Sequence, residues 1–441
     1  MSFCTIELND IEIRLGRGSK IVLRSPGYAV IDKDKIQLGD AALKLAHLNP
    51  RATYNRFWDN LSQDALQTPT KLYRHNADLA HAHLLMMHEQ AGKPEQLLFA
   101  VPGSYSSEQL SLLLGIVGAC PFTAIGLVDS AVASTAAVAD TGTYQHIEIY
   151  LHQTVLTQLD VAGQVRRRSV EVIADTGLNT LYSTVAGLIA DLFIQQSRFD
   201  PQHNAETEQA LYDQLPRCLR TLHDNREVPL EIQYRGTTHQ AKLHRDTLLE
   251  SLDPVYRKIT QRLSTAHSCL VGDRLAALPG LVELLHEHEV LKPETLFRGC
   301  EEHIQQIRSS GPALNFVTVL PAPANPTVST ATQLPEPAKS VAQGTDTVTH
   351  VLHGHRAYPL GKQPSYLSKE GAVVAAKDPH CPCSVVLQNN HPVLHTETGA
   401  PVFLNGQAVN RTAQLRPGDV VTFADSEASY TFIDVLERNG P

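Results

Sequence analysis

AVPGSYSSEQLSLLLGIVGACPFTAIGLVDSAVASTAAVAD, residues 100–140, alternates strand and helix signals without a break. Leu97–Val101, which leads into it, is a short apolar strand ended by Pro102. Ser106 or Ser107 offers an N-cap for a helix over Ser107–Val117, because a serine oxygen can accept the free N–H groups of the first turn. Ala124–Val128 reads as another strand and Ser130–Ala139 as an alanine-rich helix. Strands that alternate with helices in this way predict an α/β domain.

Upstream, Cys4–Leu8 and Ile11–Leu15 alternate apolar and polar residues on either side of the turn-prone pair Asn9-Asp10. Lys20–Leu23 and Ala29–Ile31 continue a β-meander, and Ala77–Gln90 follows with apolar residues near helical spacing. Downstream the pattern restarts. His146–Leu151, Thr154–Val161 and Val165–Ile173 read as three strands, with a turn at Ala162-Gly163. Helices are expected over Leu178–Gln196 and Ala205–His223, then a hairpin over Leu230–Tyr234 and His239–Leu243. A helix over Asp246–Ser264, a strand at Cys269–Val271 and a helix over Leu278–His286 complete the run. Two successive meander-plus-helix halves imply an internally duplicated α/β domain over residues 1–315, with a cleft between the halves. Residues 316–347 then become rich in Pro, Ala, Ser and Thr with few large apolar side chains. Such a segment buries too little surface to fold and is expected to be a flexible linker. Residues 348–441 are β-rich, with turn residues at regular intervals.

The 441 residues carry a formal net charge of −9, with 42% hydrophobic and 19% charged residues. That balance suits a chain with a real core and disfavours a general nucleic-acid or anionic-membrane binder. The triplet Arg166-Arg167-Arg168 reads as a solvated strand end. Seven scattered cysteines, with no basic-then-apolar leader, fit a reducing cytoplasm. No apolar run approaches the ~20 residues of a membrane span. His81, His83 and His88 are off the i,i+4 spacing of helical metal ligands. Cys381-x-Cys383 near His380, His391 and His395 lacks the spacing of a zinc knuckle, so no metal is expected. No nucleophile-elbow or Ser-His-Asp order is present, and no catalytic residue is assigned.

The run from Ala100 to Asp140 resembles the nucleotide-binding domain of DnaK-type chaperones and actin-like ATPases. Val101-Pro102, Glu108-Gln109 and the alanine-rich helix carry the likeness. Ser25-Pro26-Gly27 through Ala41, and Cys269–Gly272 followed by Leu278-Pro279, add to it in the same order. The resemblance implies a duplicated actin-like fold of ribonuclease H-like halves, with a cleft for ATP and magnesium. Three loops of that family hold phosphate, and each is altered here. Asp-Leu-Gly-Thr-Thr is replaced by Glu7-Leu8-Asn9-Asp10-Ile11, which puts a carboxylate where phosphate charge belongs. Asp-Leu-Gly-Gly-Gly-Thr is replaced by Tyr150–Val155, without glycine to admit the phosphate. Gly-Gly-x-x-x-x-Pro keeps only Gly272. The resemblance leaves Glu7 in place of a metal-side aspartate and Asp129 in place of a water-positioning glutamate. Gly177, before the long helix, and Gly272 are the remaining cleft candidates. Tyr150 and Asp10 within a closed cleft would count against ATP.

In the C-terminal region, Val402–Val409 contains an Asn-Gly hairpin signal, and Arg416-Pro417-Gly418-Asp419 is a tight turn feeding the apolar Val420–Phe423. These residues resemble the Val-Asn-Gly…Leu-x-x-Gly-Asp-x-Ile pattern of forkhead-associated (FHA) β-sandwiches. The resemblance implies phosphothreonine-reading loops, and it places Lys362, Ser384 and Asn405 there. A lysine replaces the forked arginine and the second loop lacks its arginine. Taken together, the expectation is a non-catalytic scaffold or adaptor of bacterial style without a cofactor. It would bind other proteins and is open to homo- or hetero-oligomers. A divergent ATP-binding switch is the alternative.

Overall fold

The first meander alternates as the sequence requires. Cys4–Glu7 (β1), Ile13–Arg17 (β2) and Lys20–Ser25 (β3) pair antiparallel in order. The computed structural model describes residues 3–33, 35–309 and 314–323. Farther on it describes 350–353, 356–360, 364–369, 373–374, 381–388, 391–396, 402–405, 407–409, 411–416, 418–424 and 426–433. The chain divides into two units, Met1–Val328 and Ser329–Pro441.

A small sheet follows the meander, made of Ala29–Asp32 (β4), Lys35–Leu38 (β5) and Thr53–Tyr54 (β6), with the short helix Asp40–Leu43 (α1) between the last two. Asn76–Gln90 (α2) leads to Gln96–Val101 (β7), Ser107–Gly118 (α3), Thr123–Asp129 (β8) and Ser130–Ala136 (α4). Ser106 caps α3 in a reciprocal capping box with Gln109. β7 returns parallel to β1, and β8 lies parallel to β7.

The second half starts with a longer meander: Gly142–Ile149 (β9), Gln153–Val161 (β10) and Gln164–Ala174 (β11). Leu178–Ser197 (α5) buries Leu181, Val185, Ile189 and Phe193, one stripe at helical spacing. Ala205–Asp224 (α6), the hairpin of Glu227–Tyr234 (β12) and Thr237–His244 (β13), and Arg245–Thr260 (α7) come next. Ser268–Val271 (β14) returns parallel to β9. Asp273–Ala276 (α8), His288–Val290 (β15), Thr295–Glu302 (α9) and Ile304–Ile307 (α10) close this half.

The two large sheets have one strand order. The first runs β8-β7-β1-β2-β3 and the second β15-β14-β9-β10-β11, and in each the first meander strand meets a parallel return strand. Parallel pairing leaves the C-terminal ends of β1 and β9 free of hairpins with their return strands, so loops gather there.

Two expectations are corrected. The helix expected over Leu278–His286 is only a 3-10 turn at Val282–Leu284. Pro279 followed by Gly280 at φ +81° interrupts it. The linker does not begin at residue 316. Phe316–Val317 (β16) extends the first sheet beside β8, and Val319–Pro321 (β17) extends the second beside β11. Their apolar side chains had sheet edges to cover. The rest of the expected linker, from 324 to 347, lies outside the described residues.

The second unit is β-rich. Its strands are His350–His353 (β18), Arg356–Pro359 (β19), Ser365–Leu367 (β20), Val373–Val374 (β21), Cys383–Gln388 (β22), His391–Thr396 (β23), Val402–Leu404 (β24), Gln407–Ala408 (β25), Thr412–Gln414 (β26), Val420–Phe423 (β27) and Ser426–Ile433 (β28). They form two antiparallel sheets, β19-β18-β28-β27-β24-β25 and β21-β20-β22-β23-β26. One core serves both: Val351, Val402, Val421 and Phe432 from the first meet Leu367, Val385 and Leu394 from the second. Among the described residues of the chain, no helix is long and apolar enough to cross a membrane.

Candidate functional site

Glu7 stands at the end of β1, where the sequence places a cleft carboxylate. Its side chain is taken. Arg274, on α8, donates Nη1 to Glu7 Oε1 at 2.8 Å and Nη2 to Glu7 Oε2 at 2.9 Å. The same Nη2 donates to the Glu12 carbonyl at 2.8 Å. A second fork lies beside it. Arg14 on β2 donates Nη1 and Nη2 to the two Asp273 oxygens at 2.8 and 2.6 Å, and Nε to Glu12 Oε1 at 2.7 Å. Arg24 pairs with that same Glu12 oxygen. Forked guanidinium–carboxylate pairs fix geometry as well as charge. These two join the halves of the unit, since Glu7 and Arg14 belong to the first sheet and Asp273 and Arg274 follow β14 of the second.

Burial sets the charge states here. Arg274 and Glu7 side chains are only 5% and 8% exposed. Burial works against the Arg274 charge, yet Glu7, Glu148 and Asp273 hold it firmly protonated. Glu148, at the end of β9, is pushed up to about 8 by burial, with Arg274 opposing. Its Oε1 has no hydrogen-bond partner and stays 3.8 Å from Arg274 Nη1, so the guanidinium cannot offset its desolvation. Glu7, Glu12 and Asp273 pair with Arg14, Arg24 and Arg274, and Glu148 lies beside them without a hydrogen bond from its Oε1. Gly272 precedes α8 directly under Glu148, and a Cβ on it would run into the Glu148 carboxylate.

The two hairpin loops also bind each other. Asn9 Nδ2 donates to the Ile149 carbonyl at 2.9 Å, and the Leu151 N–H donates to Asp10 Oδ1 at 2.8 Å. Burial raises the Asp10 carboxyl to about 7 against the lowering effect of that N–H. Tyr150 is buried at 6% exposure, and burial lifts its phenol well above the ordinary range. Gly177 is the N-cap residue of α5, and its backbone presses on His152 and Gln153, where a Cβ has no room. Its neighbour Thr176 closes the same junction by accepting from the Thr154 N–H at 3.1 Å and donating to the Ile173 carbonyl at 2.6 Å.

Asp129 is placed apart from this network. It caps α4, accepting from the Ala131 and Val132 N–H groups at 2.9 and 3.3 Å. Its other oxygen accepts from Arg167 Nη1 at 2.7 Å, and that guanidinium lies over the Phe316 ring. Burial raises the carboxyl despite Arg167. Arg167, read from sequence as a solvated strand end, is therefore a partner of a buried aspartate. His83 is a core histidine: its ring bonds Ser25 Oγ at 2.7 Å and Trp58 Nε1 at 3.1 Å, and burial lowers it to about 3.

Above the loops is a cavity of about 840 Å³ between the α1 region and helices α5 and α6. None of Glu7, Asp129, Gly177 or Gly272 lines it. Sequence reasoning missed it, because its walls are ordinary apolar, aromatic and polar residues drawn from Ile11 to Pro216 that form no motif.

In the second unit, Asn405 (φ +50°) turns between β24 and β25. Its Nδ2 donates to Asp419 Oδ1 at 2.8 Å and its Oδ1 accepts from the Val420 N–H at 2.9 Å. Ser384 lies in β22, half-buried, opposite Tyr366 and His395. Lys362 lies outside the described residues. Asn405 and Ser384 belong to different sheets of the sandwich.

Neither a protein-family model nor a curated protein matches the chain.

Proposed function

We propose that the chain is a non-catalytic scaffold that binds other proteins. In this reading the first unit is a degenerate, duplicated actin- or DnaK-like domain, and the second is an FHA-like interaction module. The repeated strand order of the two large sheets supports the first assignment. The two-sheet sandwich and the Asn405–Asp419 turn support the second. Unbridged thiols at Cys4, Cys218, Cys269 and Cys300 suit the reducing cytoplasm expected for it.

The observation that carries the loss of catalysis is the double fork Arg274–Glu7 and Arg14–Asp273. A phosphate would need open backbone amides and a metal-side carboxylate. Glu7 is committed to Arg274, the Leu151 amide to Asp10, and the space under Gly272 to Glu148. These residues do not suit ATP and magnesium, and no catalytic step is routed through them. Isothermal titration of the full chain with ATP, with and without magnesium, tests the reading. No binding at millimolar nucleotide is expected. Saturable micromolar binding that requires magnesium would replace it with a divergent ATP-binding switch.

A further inference from the structure

The cavity between α1 and helices α5 and α6 is unused by the scaffold reading and independent of it. Its volume, about 840 Å³, falls within the roughly 300–1,000 Å³ of small-molecule sites. We infer that it binds a small organic cation built on an aromatic ring.

Three tyrosines on three elements give the ring chemistry. Tyr28 precedes β4, Tyr182 is on α5 and Tyr212 on α6. The His47 ring already stacks on one face of Tyr212 with centroids 3.6 Å apart, so a ligand ring has Tyr28, Tyr182 and the outer face of His47 to meet. The Tyr28 hydroxyl donates to Asn179 Oδ1 at 2.9 Å, so its ring is held in place. Burial raises the phenols of Tyr28, Tyr182 and Tyr212, leaving them neutral. Neutral electron-rich rings attract a cation over their faces.

The charges select the sign. Among the described lining residues Asp40 and Asp213 face one cation, Lys44, and Arg220 acts on Tyr182 from outside the lining. Asp213 is oriented by Gln209 Nε2 at 2.9 Å. Glu208 stands 3.6 Å from His47, whose ring burial keeps on the neutral side. Nothing here resembles the arginine and amide cradle that a polyanion needs. The walls belong to both sides of the opening, and two bonds already bridge them: the His47 N–H to Gln209 Oε1 at 2.9 Å and Gln209 Nε2 to the Leu43 carbonyl at 3.2 Å. A ligand between the same walls adds to that closure.

The test uses one ring with three charges. Tryptamine, indole and indole-3-acetate are titrated into the full chain by calorimetry, then into an Asp40→Asn/Asp213→Asn variant. Tryptamine is expected to bind saturably and roughly tenfold more tightly than indole, with indole-3-acetate weakest. The variant should bind indole as before and lose the preference for tryptamine. Tyr182→Leu should weaken indole and tryptamine alike, with an unchanged melting temperature as the check on folding. The inference is overturned if none of the three binds at millimolar concentration, if indole-3-acetate matches tryptamine, or if the double variant keeps the preference.

Discussion

The floor and the rim of the cleft in the first unit are built from the same two halves, yet they treat charge in opposite ways. At the floor, Glu7, Arg14 and Arg274 have buried side chains and Asp273 a half-buried one, and they pair with each other. At the rim, Asp40, Lys44 and Asp213 are exposed and surround a cavity. A buried charge must find a partner within the chain, because leaving water costs several kcal/mol per ion (on the order of 5). An exposed one keeps its hydration and remains available to a ligand. In the first unit the accessible charges therefore lie around the cavity, while the buried ones are paired within the chain.

Removing one floor partner is the strongest way to break this contrast. Arg274→Ala removes both hydrogen bonds to the buried Glu7, leaving it only the 3.9 Å contact with Arg14, and should cost about 3 kcal/mol of stability. Urea unfolding of the full chain measures it. A loss below about 1 kcal/mol, typical of surface pairs, would mean that the floor is hydrated and open. Next in size is a pH effect. Asp10 has its carboxyl raised from 3.8 to about 7 in the folded chain, so between those values the folded state holds a proton that the unfolded state has lost. The Asp10 contribution to stability is then greatest at low pH and falls as pH rises through that window, by at most about 1.4 kcal/mol per unit. Glu148, raised from 4.5 to about 8, acts in the same direction. His83, lowered to about 3, and His146, lowered to about 4, act in the opposite direction below 6.5. Asp10→Asn keeps an oxygen for the Leu151 N–H and should remove the Asp10 share, up to about 1.4 kcal/mol per unit, from the pH dependence between 3.8 and about 7, read from urea midpoints over a pH series. An unchanged slope would place Asp10 in solvent contact. The smallest effect belongs to the rim. Gln209→Ala removes the bonds to His47 and Leu43 and should cost about 1 kcal/mol; a cost equal to that of Arg274→Ala would erase the distinction between the two regions.

Much of the architecture was legible because it rests on local signals. Apolar alternation placed the meanders, helical spacing placed α5 and α6, and Asn405 announced its hairpin. The misreadings have local causes too. Pro279-Gly280 outweighed the apolar pattern of 278–286, and the short strands at 316–321 needed sheet edges supplied by β8 and β11. Of the candidate site, sequence identified Glu7, Asp10 and Tyr150 as altered loop positions and Gly272 as the glycine its loop retains. It gave no sign of Arg14 or Arg274, which carry no motif.

Period, turn chemistry and the loss of loop glycines are written along the chain, so the sequence by itself determined two meander-plus-helix halves, a β-rich end and loops unlike a phosphate cradle. Pairing between residues far apart is not written there. Arg274 meets Glu7 across 267 positions, and the cavity joins Tyr28 to Tyr212. Only the tertiary structure decided those contacts, because burial and partner distance, which set how strongly each charge interacts and which way its pKa moves, exist only once the two sheets have come together.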